Sequence, residues 1–352
     1  MIKKRVVAFD LLKVFSCIAV IIIHLGAVIL DVRGTHTVYF KTANIYVSIA
    51  HFAVPIFIMI SGAFLLSKSK ELTIKEIYKK YVFRIGIIYI LTGLFYKIFN
   101  FYIDGMHNLT LVHIFNMFLQ MLFGNCEVFL WYLYMMVGIY MLYPIIYKIK
   151  VLDRKYFRYL LIVLFILSCF TWSFNEFSSF FGMNVRFYNQ FNFSIYIFYF
   201  LLGYYLYNYK LSGMVEIIFI MLIPVMSFLT VYLSNAYCLK LRTFNLNFVN
   251  YYSINVVILS IGIFCLFKVI MRKVKFGNNS TKIINVLSSA TLPIYLWHML
   301  VIDLIKKYNL IKFTKLMNVV LLPFYAIIIF ICCFLLFIFV KMVCKVFESV
   351  LK

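Results

Sequence analysis

Acidic side chains are scarce in this sequence. Its 352 residues hold 11 Asp and Glu against 34 Lys and Arg, a formal net charge of +23, and charged residues of both signs make up only 13% of the chain. A soluble domain carries about 25% charged residues, so this composition is at odds with a water-soluble globular fold and with a disordered chain. None of the eight cysteines forms a C-x-x-C pair, so neither a zinc site nor a disulfide framework is indicated. There is no Walker loop, no G-x-G-x-x-G, no G-x-S-x-G elbow and no metal-ligand spacing. Nor is there the basic–aromatic stripe of a soluble nucleic-acid binder, so nucleic acid is not expected as a partner. Internal repeats, low-complexity linkers and an appended soluble domain are also lacking, and residues 1–352 read as one domain.

What the chain has is apolar surface. Hydrophobic residues reach 65%, aromatics reach 20% with 40 Phe and 28 Tyr, and the mean hydropathy is +1.01. The natural solvent for such a chain is lipid, with aromatics at lipid-facing and interfacial positions. A bilayer-spanning helix needs about 20 mostly apolar residues. Ten segments qualify: 6–30, 45–66, 82–101, 128–147, 159–172, 193–209, 214–233, 251–271, 283–305 and 319–343. The expected fold is therefore an all-α integral membrane protein with about ten spans around a polar cavity. The start, Met1-Ile2-Lys3-Lys4-Arg5, resembles a signal-peptide n-region, but no small-residue cleavage site follows, so it reads as the flank of a retained first helix. With both termini cytoplasmic, 23 of the 34 basic residues fall inside and ten outside, as the positive-inside bias requires. The exception is the connection after 283–305, which carries four lysines outside; a re-entrant ninth segment would change the side of everything after it. The apolar stretch 109–123 is too short to span and reads as interfacial or re-entrant.

Ionisable groups inside such segments are costly and mark functional sites by default. The first segment carries Asp10, Lys13 and His24. Lys13 and His24 are eleven positions apart, about 20° beyond three full turns, so they share a helix face about 16 Å apart along the axis. A ligand with an anionic head and a reactive tail in the membrane, such as an acyl-coenzyme A, suits that pair. The plainer readings are a lysine that snorkels and a histidine that hydrogen-bonds between helices. His51 sits at the outer end of the second segment and reads as interfacial. Ser61-Gly62 is a small pair that either packs closely or lines a cavity. Arg84 opens the third segment, as an inner anchor or a phosphate contact. Glu127 and Trp131 begin the fourth, as acceptor-side residues or as solvated and belt residues. The ninth is the least apolar and carries Tyr295 and His298; His298 lies as deep as His24, so two imidazoles could meet there. His36, His107 and His113 read as loop residues.

At these residues the sequence resembles the membrane-bound acyltransferase-3 family, whose bacterial members O-acylate surface polysaccharides. The resemblance is carried by Asp10-Leu-Leu-Lys13 followed by His24, by Val54-Pro-Ile-Phe-Ile-Met-Ile-Ser61-Gly62, by Trp131-Tyr132-Leu133 and by Tyr295-Leu296-Trp297-His298. It departs at Lys13, where many members have Arg and bidentate phosphate binding. The resemblance implies an O-acetyltransferase-like enzyme of the bacterial cytoplasmic membrane, transferring an acyl group from acetyl-CoA or another acyl-CoA to a hydroxyl of a cell-envelope or lipid-linked glycan, without a metal. His24 would be the catalytic base; Lys13, Arg84 and Asp10 would bind the coenzyme; Ser61, Glu127, Trp131, Tyr295 and His298 would line the acceptor cavity. Membrane lipids and a saccharide acceptor are the implied partners, with oligomeric state left open. The alternative of another class is a lipid-glycan flippase, which shares the polytopic fold but consumes no acyl-CoA.

Overall fold

In lipid every backbone N–H and C=O needs a partner within the protein, which leaves helices or closed barrels. The computed structural model describes residues 7–103, 105–106, 108–125, 127–183, 185–187, 194–311 and 315–350, and is helical with no strand among them. Lys3, Lys4, Arg5 and His107 lie outside the described residues. In chain order the helices are α1 (Val7–Leu30), α2 (Val38–Ala50), α3 (Ala53–Leu66), α4 (Ile74–Ile103), α5 (Leu111–Leu122), α6 (Trp131–Ile149), α7 (Arg154–Phe180), α8 (Ser194–Asn208), α9 (Gly213–Leu241), α10 (Ile254–Lys273), α11 (Asn278–Lys307) and α12 (Leu322–Val350). Among the described residues nine segments are long and apolar enough to cross a membrane, α2 and α3 together forming one of them. The remaining expected span, 193–209, is the 15-residue α8, about 22 Å long. The fifth segment, 159–172 by hydropathy, is longer than that: α7 runs over 27 residues with a π turn at Ile166–Phe170.

The break between α2 and α3 has a local cause. Pro55 lacks an N–H, and its ring crowds the carbonyl four residues back, that of His51. The helix yields at His51 and Phe52, leaving Pro55 in the first turn of α3, where a missing N–H costs nothing. His51 is therefore buried at the joint between two helices, not at an outer interface as the sequence suggested. Several helix starts outside the apolar runs are capped by side chains. Thr37 accepts from the Phe40 N–H, and Thr73 and Thr110 form reciprocal capping boxes with Glu76 and His113. His113 thus lies in the first turn of α5 and not in a loop.

The chain divides into two compact units: Met1–Ser67 with Leu161–Lys352, and Lys68–Leu160. In the larger unit α1 is the hub, touched by α2, α3, α10, α11 and α12. Lipid tails are as apolar as leucine, so helices gain most from close approach and buried hydrogen bonds. The α3–α8 pair shows the first. A Cβ at Gly62 would overlap the Phe200 carbonyl, and one at Gly203 would overlap the Met59 carbonyl. Buried polar groups show the second. Asn44 of α2 donates to Asn235 at 2.9 Å and accepts from Ser234 at 3.0 Å, both on α9. Glu216 of α9 pairs with Lys268 at 3.5 Å and with Arg272, both on α10. Lys268, read from sequence as a simple inside charge, is buried; its ammonium donates to the carbonyls of Leu206 and Tyr209 at the end of α8.

In the smaller unit α5 packs on α4 and is too short to span. The Tyr89 hydroxyl donates to the Met121 carbonyl at 2.8 Å, and Gly93 leaves room for the Met121 side chain. Leu111, Val112 and Phe115 of α5 are exposed, as expected of an interfacial helix.

Candidate functional site

α1 runs for 24 residues without proline, so its polar positions keep strict helical register. Asp10, Cys17 and His24 recur every seven residues and lie on one face. That face meets α11. The Ser288 hydroxyl donates to Asp10 Oδ1 at 2.7 Å, the Cys17 thiol donates to the Thr291 carbonyl at 3.7 Å, and the His24 and His298 rings stand 5.1 Å apart, tilted by 48°. Positions rise together on both helices, so α1 and α11 run parallel. α11 is one continuous helix of 30 residues, about 45 Å, and its direction is that of an odd-numbered crossing when α1 is the first. From Asp10 to His24 the seam extends about 21 Å.

At one end, Lys13 donates to Asp10 Oδ1 at 3.2 Å and its ammonium lies 5.4 Å from the Phe64 ring centroid on α3. The Lys13 side chain keeps 28% exposure, whereas that of Asp10 keeps 4%. The carboxylate is thus a buried anchor, and the ammonium is the accessible group. At the other end three histidines gather. His298 is fully buried, and its Nδ1 donates to the Tyr295 carbonyl at 2.6 Å. In a neutral ring that bond leaves Nε2 as the acceptor. The Tyr295 ring itself lies 5.9 Å from His298. His51 repeats the arrangement: its Nδ1 donates to the Val47 carbonyl at 2.6 Å, its ring faces Tyr251 at 5.9 Å, and it lies within electrostatic range of His24. Sequence reasoning read His51 as interfacial; the signal for its burial was Pro55, four residues on, which dictates the break.

The other candidates separate. Ser61 donates to the Phe57 carbonyl one turn back at 2.9 Å, so its hydroxyl can act further only as an acceptor. Its neighbour Gly62 has the packing role. Arg84, Glu127 and Trp131 belong to the smaller unit. Arg84 is exposed and does not open its helix: α4 begins ten residues earlier at Ile74, after which a π turn spans Tyr78–Val82. Glu127 accepts from Asn100 at 3.4 Å, and Trp131 is the first residue of α6, packed edge-on to Tyr132 at 6.5 Å. Among the described residues no group of three or more His, Cys, Asp or Glu could hold a metal ion.

Compared with known proteins, the chain matches a family model described as an acyltransferase domain over residues 6–338. No curated protein and no solved structure matches it.

Proposed function

Since the chain belongs to the acyltransferase family whose domain covers residues 6–338, we propose that it is a multi-pass enzyme of a bacterial cytoplasmic membrane that moves an acyl group, acetyl foremost, from acyl-coenzyme A to a hydroxyl of a cell-surface or lipid-linked glycan. The observation that supports this most is the α1–α11 seam, with a partly exposed ammonium at one end and paired imidazoles about 16 Å further on.

The chemistry follows from what these groups can do. His298, protonated on Nδ1 by its bond to the Tyr295 carbonyl, keeps Nε2 as an acceptor beside the His24 ring, the two centroids 5.1 Å apart. A His24 N–H turned to that Nε2 in the substrate complex would leave the other His24 nitrogen as the base. His24 takes the proton of the acceptor hydroxyl as the oxygen attacks the thioester carbonyl. The tetrahedral intermediate collapses with cleavage of the carbon–sulfur bond, and the His24 proton passes to the departing sulfur. Lys13, held by Asp10, neutralises phosphate charge of the coenzyme; Asp10 itself would repel that group and acts by positioning Lys13.

The test is mass spectrometry of surface glycans from cells carrying the wild type or His24→Ala. The variant should reach the membrane in normal amount and lose ester by about 10²–10⁴-fold. Wild-type ester content in that variant discards the base assignment. Glycans without any ester in wild-type cells discard the transfer reaction.

A further inference from the structure

A second polar site lies in the smaller unit. On α5, His113, Asn116 and Gln120 fall on one stripe and Leu111, Val112 and Phe115 on the next, all six exposed. On α4, Lys97 and Asn100 fall on one stripe. The two stripes, with Glu127 from the approach to α6, line a cleft of about 390 Å³. That volume is in the range of small-molecule sites, ~300–1,000 Å³. Its walls are fixed by Lys97 donating to Gln120 at 3.0 Å, Asn100 to Glu127 at 3.4 Å, and Phe101 packed against His113 at 5.4 Å.

A polar stripe beside an apolar one on a short amphipathic helix marks a water-facing wall next to a lipid-facing one. The charge inventory decides which ligand. One ammonium faces one carboxylate, and the remaining groups are amides and an imidazole. A phosphate or pyrophosphate would meet Glu127 without a net positive field. A ring of hydroxyls, each both donor and acceptor, matches a wall that alternates amide N–H, amide C=O, ammonium and carboxylate. The positive-inside count puts this end of α4 on the outer side.

We infer that this cleft is a saccharide-binding site that holds the glycan acceptor. Its identity as the acceptor site rests on the proposed function; saccharide binding by itself does not.

The test uses the full-length protein in detergent, carrying Asn116→Cys in a Cys126→Ser, Cys332→Ser, Cys344→Ser background, the last two removing exposed native thiols, and measures labelling by a charged maleimide. Asn116 is exposed, so cysteine is tolerated there, and Gln120→Cys provides a second reporter. The probes are gluco-, galacto-, manno- and N-acetylglucosamine tetrasaccharides, with pyrophosphate as the anionic control. At about four times Kd the free fraction 1/(1 + [L]/Kd), and hence the labelling rate, should fall about fivefold with at least one tetrasaccharide and stay unchanged with pyrophosphate. Protection by pyrophosphate alone, or by no probe at either position, overturns the proposal. Acetyl-CoA turnover in the same preparation is the separate readout: saccharide protection without turnover overturns acyl transfer and leaves the cleft standing.

Discussion

At the scale of single residues, the strongest prediction concerns His298. If its Nε2 orients His24, His298→Phe should lower the transfer rate by about 10–100-fold, the worth of one hydrogen bond to a group that becomes charged. His298→Gln, whose amide oxygen can accept in the same place, should recover most of that loss. The readout is kcat against KM for acyl-CoA: a positioning role lowers kcat and spares KM, while an equal loss in both variants would make His298 a packing residue. Much of this pairing was legible beforehand, because depth in a bilayer is a coordinate that each helix reveals separately. Counting from the segment ends puts His24 and His298 at one level. Rotation about the helix axis is not readable in that way. Lys268 therefore passed as an ordinary inside charge, and the Asn44 contacts with α9 had no sequence signal.

At the scale of elements, α3 and α8 depend on two glycines that admit the neighbour's backbone. Gly203→Ala forces a Cβ onto the Met59 carbonyl and should destabilise the protein by about 1–3 kcal/mol. The measurement is the melting temperature of the purified protein in detergent. Gly86→Ala is the control, because a Cβ there meets nothing within 4 Å. Ala is the better helix former, so Gly86→Ala should hold or raise the melting temperature, and an equal fall in both variants would discard the close-approach reading. Segment positions were legible from hydropathy because spans must be apolar over a fixed length. Two details were hidden. Pro55 lies within an unbroken apolar run, so its effect on the chain path appears only when its steric demand on His51 is considered. And α8, with Tyr199 and Phe200 fully buried, reads like any lipid-facing segment, because side chains that pack on protein and on lipid tails are equally apolar.

At the scale of the whole molecule, the buried ions between α9 and α10 tie three helices together. Glu216→Leu leaves the Lys268 ammonium without its carboxylate and should cost about 3–5 kcal/mol, seen as reduced membrane abundance and a lower melting temperature. Adding Lys268→Met should return much of the loss, since two matched apolar groups replace two ions. Failure of the double variant to recover would show that the cap Lys268 places on the end of α8 matters more than its charge. The α1–α11 seam bears on how such a chain is made. Asp10 and Lys13 are one helical turn apart, whereas Ser288 follows Asp10 by 278 residues. At a synthesis rate of about 5–20 residues per second, Ser288 leaves the ribosome roughly 15–60 s after Asp10. Throughout that interval the newborn first helix faces the translocon with its own counterion already in hand. It can settle among lipids as an electrically neutral rod and wait there for the partner that completes it.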